Sequence, residues 1–264
     1  MFLILNLFKS KKDPKKEQTP SRPKRNQEQV ANRKGELGEY KIDIQLDQLP
    51  EDYYYLSDLL IKNPKAKSGY SQVDHVIITP HGLFVIETKN YQGTIYGGKN
   101  RKTWSVNGKF KMMNPFTQNY GHMKALAALI DTKYQKSFIS IVSFTKRCTF
   151  KVEPELRQIS SNQLIVYDIE LSEYIHRKVR ALKREPQLTL SKEEQENIKA
   201  AFQLANITDP KIWQAHKEAL KKPSTNEKAT CIVCSKAVSE KVKAYCLSQK
   251  KFNGKIYCYE HQKK

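Results

Sequence analysis

The chain has 264 residues, of which 47 are Lys or Arg and 27 are Asp or Glu, so that its formal net charge is +20. This length predicts one or two domains with a sizeable core, and the excess of positive charge favours a polyanionic partner, either nucleic acid or an anionic membrane surface. The cysteines number five and lie mostly near the C-terminus. An odd count without a convincing secretory signal argues against a disulfide-bonded secreted protein and indicates a reducing, cytoplasmic compartment.

Residues 1–31 are interpreted as an apolar N-terminus followed by a basic flexible linker. The apolar run at residues 1–8 is too short to span a bilayer and lacks the basic segment and cleavage site of a signal peptide. Lysines follow at once, so residues 1–16 could make a weak contact with an anionic membrane. A disordered or docking N-terminus is the alternative that we favour.

A helix is predicted over residues 33–49, which contain GELGEYKIDIQLDQL, and a strand over residues 53–61. Glu36 and Glu39 are three residues apart and share one face of that helix. Either glutamate could supply a carboxylate to a site on the following strands. The alternative is that both are solvated surface residues.

The stretch QVDHVIITPHGLFVIETKN at residues 72–90 predicts two strands joined by a turn at residues 79–82. Both strands are almost continuously apolar, which indicates burial on both faces. They nevertheless carry Asp74, Glu87 and Lys89. Because a buried charge is costly unless it is paired or bound to a metal, these residues are candidates for chemistry.

The register of this hairpin decides whether the two acids meet. If Thr79 pairs with Gly82, Asp74 lies opposite Glu87, with Cβ atoms about 5 Å apart, and Lys89 projects from the same face as Glu87. Two carboxylates so close need a cation between them, and Mg²⁺ is held by one or two carboxylates together with substrate phosphate. A shift of one residue would turn Asp74 to the other face. The alternative is a structural acid–lysine pair.

Short strands are predicted around Ile95 and at residues 104–106, the latter turning at Asn107-Gly108. Asn114 then caps a helix with a proline at its first position, and this helix is expected to end near residue 131. Its polar residues Gln118 and His122 lie four apart on one face. Either could donate to a phosphate or to water, and the alternative is that both are surface residues.

Taken together, the motifs GELGE, VDHVIITPHGLFVIETKN, the following tryptophan and NPFTQN resemble the nuclease-related domain family, called NERD. The resemblance covers roughly residues 33–147, and that family is similar to the PD-(D/E)xK superfamily. It implies an α/β fold, with a restriction-endonuclease-like mixed β-sheet flanked by helices, in a domain at residues 32–183. It also implies a divalent-metal-dependent nuclease that hydrolyses nucleic acid, DNA in preference to RNA. Val73 stands where the proline of "PD" would be.

The family's functional residues are carried over one by one. Glu39 would be the helix glutamate, for which Glu36 competes. The resemblance implies that Asp74 and Glu87, with the main-chain carbonyl of Thr88, hold Mg²⁺ or Mn²⁺. Lys89 would orient water or offset charge on phosphorus, and Gln118 would position phosphate or water. The alternative function is a non-catalytic nucleic-acid-binding or scaffold protein that keeps the fold, with association at the membrane surface as a further option.

The second half of the chain completes this layered α/β structure. Strands are predicted at residues 138–144 and 163–167, and a helix at residues 168–183. Cys148 is expected just past a strand end, as a structural rather than a reactive residue. A helical extension is predicted at residues 184–222, with helix starts at the Ser191 capping box and at Asp209-Pro210.

Residues 223–264 are predicted to form a small zinc-binding module resembling a zinc finger. Cys231 and Cys234 form a CxxC pair, and Cys258 and His261 form a CxxH pair. Two close ligand pairs separated by a spacer are typical of a structural tetrahedral zinc site. Cys246 is an alternative ligand, and a redox CxxC motif is the alternative interpretation. Because so small a segment buries little core, metal binding would supply its folding free energy.

Overall fold

The computed structural model describes residues 27–184, 189–221 and 229–263, with side chains from residue 37 onward in the first helix. The predictions for the apolar N-terminus and most of the basic linker therefore lie outside the described residues. Among the described helices, none combines the length and apolar character needed to cross a bilayer.

The described segments form an α/β structure with two mixed sheets. The strands are β1 (Tyr54–Lys62), β2 (Tyr70–Thr79), β3 (Gly82–Lys89), β4 (Gly93–Tyr96), β5 (Thr103–Val106), β6 (Phe110–Met113), β7 (Phe138–Phe144), β8 (Cys148–Lys151) and β9 (Gln163–Tyr167). The α-helices are α1 (Gln27–Leu46), α2 (Pro115–Ala127), α3 (Leu171–Leu182), α4 (Lys192–Ala205), α5 (Pro210–Lys221) and α6 (Glu240–Ser248). Short 3-10 helices lie at Thr132–Ser137, Pro154–Arg157, Asp168–Glu170, Lys250–Phe252 and Tyr259–Lys263.

The main sheet has the order β1-β2-β3-β7-β9. Its first three strands are antiparallel neighbours, whereas β7 and β9 run parallel to β3. Antiparallel strands can follow one another through tight turns, but parallel strands need long connections. The chain supplies one with three strands of the second sheet, β4 to β6, and with α2, which lie between β3 and β7.

Both faces of the main sheet are covered, as the continuous apolar runs predict. One face of the β2–β3 hairpin presents Val76 and Val85 to a core shared with α2 and α4. The other face presents Ile77 and Ile86 to a core shared with α1 and α3. The α/β fold with a mixed sheet flanked by helices is thereby confirmed, and the polar hairpin residues lie where these two cores end.

The second sheet has the order β6-β5-β4-β8. Its β5–β6 hairpin turns at Asn107 and Gly108, whose φ angles of 52° and 68° are those of the primed turn that Asn-Gly favours. Trp104 of β5 is buried and meets the Phe116 ring of α2 edge-on at 5.9 Å. The second sheet therefore fixes the start of α2, which carries two of the predicted site residues.

Several predicted boundaries differ from the structure, two of them by four residues or more. Helix α1 begins at residue 27 rather than near residue 33. Its first turns are mostly polar and carry no apolar stripe, which is why they were not predicted to be helical. Helix α2 ends at Ala127 instead of near residue 131. Strand β8 was not predicted; Cys148 begins it and is buried, and burial raises the pKa of its thiol to about 11.

The predicted helical extension packs on the main core. Phe202 of α4 is fully buried and, with Ile198 and Leu190, belongs to the same cluster as Val76 and Val85 of the sheet. The boundary proposed at residue 184 therefore divides segments that share one hydrophobic core.

Replacing Phe202 with Ala tests this shared core. Phe202→Ala is expected to lower the free energy of unfolding by about 3–5 kcal/mol, because it removes buried surface and leaves a cavity. Leu204→Ala, on the same helix but 90% exposed, is the matched control and should change it by less than about 0.5 kcal/mol. Denaturant unfolding of both variants measures the difference; equal effects would mean that α4 is not part of the core.

The C-terminal residues 229–263 form a small unit with a hydrophobic core of its own. Cys231, Val238 and Cys258 are buried together, with Val242 and Ile256 packed against them. Ser239 caps α6 by accepting a hydrogen bond from the Val242 N–H. This helix lies within the spacer between the two ligand pairs and was not predicted from the sequence.

Candidate active site and metal-ligand cluster

The hairpin register is the one on which the predicted site depends. Thr79 pairs with Gly82 and His75 pairs with Ile86, so the prediction of this register is confirmed. Continued by one residue, the register places Asp74 opposite Glu87. Asp74 is partly buried and Glu87 is 2% exposed, and both line one cavity.

The acids at the end of the hairpin are held by a short network. The Thr88 N–H donates to Asp74 Oδ2 at 2.7 Å. Lys89 Nζ donates to Glu87 Oε1 at 2.5 Å and to Gln118 Oε1 at 3.0 Å. The lysine thus joins the hairpin to α2, and its side chain is only 18% exposed.

Helix α2 is positioned by buried amides at its start. The Asn114 side chain accepts from the Phe116 N–H at 2.9 Å, which caps the helix as predicted. Asn119 Nδ2 donates to the Val85 carbonyl and to Ser140 Oγ, both at 2.8 Å, and so ties the helix to β3 and β7. With α2 held in this way, Gln118 and His122 face the acids. His122 Nε2 lies 3.2 Å from Glu87 Oε2.

Helix α1 brings a third carboxylate. A Cβ at Gly38 would lie 3.5 Å from Thr88 Cγ2, which shows how closely the helix passes the end of β3. The next residue, Glu39, lines the cavity with Asp74 and Glu87. The competing Glu36 lies among the residues whose side chains are not described.

All five predicted catalytic residues therefore line one cavity of about 800 Å³. The carboxylates come from α1, β2 and β3, the lysine from β3 and the glutamine from α2. The other side chains around the cavity include Lys65, Lys67, Tyr70, Gln72, Met113, Thr117, His122, His216 and Leu220. The structure thus brings the five predicted residues together, although Glu39 and Gln118 lie 79 positions apart in the sequence.

A second cluster lies in the C-terminal unit. The ligand atoms of Cys231, Cys234, Cys258 and His261 all lie within 4.8 Å of one another. Cys234 Sγ is 3.8 Å from Cys258 Sγ, and His261 Nδ1 is 3.2 Å from Cys258 Sγ and 3.5 Å from Cys231 Sγ. Tetrahedral zinc with bonds of about 2.3 Å to sulfur and 2.0–2.1 Å to nitrogen would separate its ligands by about 3.5–3.8 Å. The Cys₃His cluster is therefore compatible with zinc.

Cys246 lies outside this ligand group. It is fully buried, its Sγ contacts the Tyr257 main chain at 3.4–3.5 Å, and it accepts from Gln262 Nε2 at 3.5 Å. These contacts assign Cys246 a packing role and favour His261 as the fourth ligand. Burial alone would raise the pKa of the Cys231 thiol, but main-chain N–H groups and His261 lower it to about 6, which favours the thiolate that binds metal.

Comparison with known proteins identifies the family to which this chain belongs. The family model of the nuclease-related domain, NERD, matches residues 34–145. An uncharacterized protein of Bacillus anthracis is 30% identical over 187 residues, which are 69% of this chain and 82% of that protein. The chain belongs to the NERD family. No solved structure matches it significantly.

The matched NERD segment contains Glu39, Asp74, Glu87, Lys89 and Gln118. Membership suggests a nuclease-type function that uses a divalent metal, with nucleic acid as substrate or partner. The α4, α5 and C-terminal segments lie beyond the match. Residues of α5 nevertheless reach the cavity of the NERD domain, and they were not predicted because no motif connects them with the hairpin.

The electrostatics of the NERD cavity reflect its excess of acids. Burial and the charge of Glu87 raise the pKa of Asp74 well above its ordinary value, although the Thr88 N–H opposes this rise. Burial and the charge of Asp58 raise the pKa of Glu39 as well. Two of the three carboxylates thus gain protons more readily than in water, because burial and the charges of neighbouring acids both disfavour their ionised form.

Glu87 and Lys89 behave as a buried ion pair. Burial alone would raise the pKa of Glu87, but the charge of Lys89 and the contact with His122 hold it below its ordinary value. Burial alone would lower the pKa of Lys89, but Glu87 and Asp74 raise it. The pair therefore stays ionised, and Asp74 is the group whose charge a further cation would compensate.

The donor set fits a hard divalent cation. Glu87 Oε2 is buried without a hydrogen-bond partner, since the His122 ring nitrogen beside it is not aligned to donate. Carboxylate oxygens are the ligands that hard divalent cations take, and such an ion needs only one or two of them because water and phosphate complete its shell.

The raised pKa of Asp74 predicts a pH-dependent stability in buffer without added magnesium. Because the folded-state pKa lies above the unfolded value, the contribution of Asp74 to stability is complete below the unfolded pKa and is lost as pH rises through the folded pKa. Asp74→Asn, which cannot ionise, should therefore melt at a higher temperature than the native protein at neutral pH and at the same temperature in acid. Asp52→Asn, at an exposed position, is the control; a gain for Asp74→Asn that does not change with pH would contradict the prediction.

Proposed function

We propose that this protein is a divalent-metal-dependent nuclease that hydrolyses the phosphodiester bonds of nucleic acid, with DNA as the favoured substrate. The observation that carries the proposal is the meeting of Glu39, Asp74 and Glu87 with Lys89 and Gln118 around one cavity. A protein that only bound nucleic acid would gain nothing from three acids at its binding site, because they repel phosphate.

The acids of β2 and β3 would hold the metal. Asp74 and Glu87 present carboxylate oxygens, and we expect the main-chain carbonyl of Thr88 to complete the protein ligands of Mg²⁺ or Mn²⁺. Glu39 would act as a further acid beside them and would accept a hydrogen bond from water in the cavity. When bound, the metal polarises the phosphate and lowers the pKa of water.

Lys89 is positioned to assist the reaction. Its ammonium lies between Glu87 Oε1 and Gln118 Oε1, which fixes it within the cavity. Lys89 would donate to the attacking water or to the phosphate oxygen that gains charge. Gln118 can use its amide N–H groups to position the same phosphate or water.

His122 is a positioning residue in this scheme. Its Nε2 lies 3.2 Å from Glu87 Oε2, on the side of the carboxylate away from Lys89. The ammonium thus binds one oxygen of the Glu87 carboxylate, while the imidazole packs against the other without a hydrogen bond. This packing restricts the rotation of a metal ligand without requiring His122 to touch the substrate.

The proposal is tested by digestion of linear, circular and single-stranded DNA, and of RNA, by the full chain with Mg²⁺ or Mn²⁺. Hydrolysis that requires the added metal is expected, and circular substrates distinguish endonuclease from exonuclease activity. Retention of nucleic acid without any hydrolysis would instead support the non-catalytic binding protein.

The subcellular location of the protein is also a proposal. We place the protein in the cytoplasm because its odd cysteine count and CxxC/CxxH pairs fit a reducing compartment. The weak membrane contact of residues 1–16 stays a prediction, and flotation of the full chain with anionic vesicles tests it. The domain division into residues 32–183, 184–222 and 223–264 is likewise a proposal, with the first two packed together.

A further inference from the structure

The segment that leads into helix α5 is hydrogen-bonded to β1, an edge strand of the main sheet. The Leu60 N–H of β1 donates to Asn206 Oδ1 at 2.9 Å, and the Ile207 N–H donates back to the Leu60 carbonyl at 3.0 Å. Trp213 Nε1 then donates to the Ile207 carbonyl at 2.7 Å. These bonds fix the start of α5 to the sheet, so the side chains that α5 sends into the cavity occupy defined positions.

His216 of α5 is the most unusual of these side chains. It is 3% exposed, and its ring meets Tyr70 and Trp213 edge-on at 6.5 Å and 6.4 Å. Its Nδ1 lies 2.8 Å from Ser68 Oγ. Its Nε2 is buried without a hydrogen-bond partner, although buried polar atoms are nearly always paired. The residue lines the cavity, where a ligand could satisfy that nitrogen.

The hydrogen bonds around Ser68 define what His216 can bind. If the Ser68 hydroxyl donates to the Tyr70 carbonyl, 3.1 Å away, its contact with His216 at 2.8 Å uses the Nδ1–H as donor. Burial and the charges of His122 and Lys217 lower the pKa of His216, which favours the neutral ring. In that state Nε2 is an acceptor. It suits an N–H or O–H group of a base or sugar and does not suit a phosphate oxygen.

The residues beside His216 supply the other parts of a nucleotide site. Lys65 and Lys67, on the loop between β1 and β2, are exposed cations at the cavity and can attract phosphate. Tyr70 and Leu220 offer aromatic and aliphatic surface to a base. We call the set Lys65, Lys67, Tyr70, His216 and Leu220 the α5 wall, after the helix that carries His216 and Leu220.

The size of the cavity limits what can enter. Its volume of about 800 Å³ lies within the range of roughly 300–1,000 Å³ that is usual for small-ligand pockets. A sphere of that volume is about 11–12 Å across, no wider than the major groove of B-DNA alone at about 12 Å. One unpaired nucleotide therefore fits inside the cavity, whereas a duplex would have to lie across its opening.

We propose that the α5 wall is a nucleotide-binding subsite that takes the unpaired nucleotide next to the reacting phosphate. This inference rests on the proposed nuclease function and specifies its substrate as single-stranded nucleic acid or an unpaired strand end. In it, the lysines bind the flanking phosphate, Tyr70 and Leu220 contact the base, and His216 accepts a hydrogen bond from the base or sugar.

Binding measurements test the subsite apart from hydrolysis. The probe is a short fluorescent single-stranded oligodeoxynucleotide, with its duplex for comparison, and the full zinc-containing chain is titrated by anisotropy without added magnesium. His216→Phe keeps an aromatic ring but removes the acceptor, and should weaken single-strand binding about tenfold. Lys65→Ala should weaken it about threefold and reduce its salt dependence. Lys211→Ala, exposed on the same helix but not lining the cavity, should leave the affinity unchanged.

The outcomes separate the subsite from the nuclease proposal. Affinity unchanged in both His216→Phe and Lys65→Ala, duplex bound more tightly than single strand, or no binding at all would each overturn the subsite. If His216→Phe fails to melt cooperatively, Lys65→Ala and the comparison of single strand with duplex decide. Because no hydrolysis is measured, an inactive native protein would refute the nuclease while leaving this result intact.

Discussion

Lys89→Ala and Asp74→Ala are each expected to reduce metal-dependent hydrolysis of nucleic acid at least about 100-fold, the loss typical of removing one group that stabilises developing charge. Lys89 is held between Glu87 and Gln118 by hydrogen bonds, so its ammonium lies directly beside the acids. Asp74 lies across from Glu87 in the hairpin, and its loss would leave a single β-strand carboxylate to hold the metal. Initial rates on the best substrate, over a range of magnesium concentrations, measure both effects.

A matched control separates catalysis from charge and stability. Lys136→Ala removes one exposed lysine outside the cavity and should retain full activity. Lys89→Met keeps the length of the side chain without its charge and should be as inactive as Lys89→Ala. If the native protein and both site variants hydrolyse nucleic acid at equal rates, with unchanged melting temperatures, the active-site assignment is wrong.

Loss of one zinc ligand is expected to unfold the C-terminal unit. Cys258 is buried with Cys231 and Val238 in a very small core, which cannot offset the conformational entropy of ordering this segment. Zinc binding in such units contributes an apparent free energy of about 10–16 kcal/mol at neutral pH. Cys258→Ser should therefore abolish bound zinc, measured by elemental analysis, and should remove the helical signal and protease resistance of residues 229–263.

Cys246 provides the control for this experiment. It is as buried as Cys258 but lies outside the ligand group, so Cys246→Ala should keep one zinc per chain and lose only packing. The NERD domain should melt as before in both variants, because the buried ligand cysteines belong to a hydrophobic cluster of their own within the described residues. If zinc is retained in Cys258→Ser and lost in Cys246→Ala, Cys246 is the ligand and Cys258 is not.

The sequence predicted the local structure of the hairpin well, and the reason is physical. The turn between the two apolar runs is short, and the register of a hairpin is set by the length and type of its turn. The pairing of Thr79 with Gly82 was therefore predictable. The start of α2 was predictable too, because Asn114 and Pro115 satisfy the requirements of a helix N-terminus within two residues.

Features that depend on distant packing were harder to predict. Helix α6 was missed because its short sequence carries no apolar stripe, and β8 was missed because its pairing with β4 joins residues far apart in the chain. Cys246 remained an alternative ligand because spacing alone does not show which way a side chain points. Only the position of α6 turns Cys246 toward Tyr257 and away from the ligand group.

The amino-acid sequence by itself determined the paired acids, the lysine beside them and the two ligand pairs, because each set lies within one hairpin or one turn whose geometry is local. The tertiary structure decided that Glu39, Gln118 and His216 reach the same cavity. Their helices are placed by packing on opposite faces and at the edge of the main sheet, and such placement results from the burial of whole apolar surfaces. No short stretch of sequence encodes that burial.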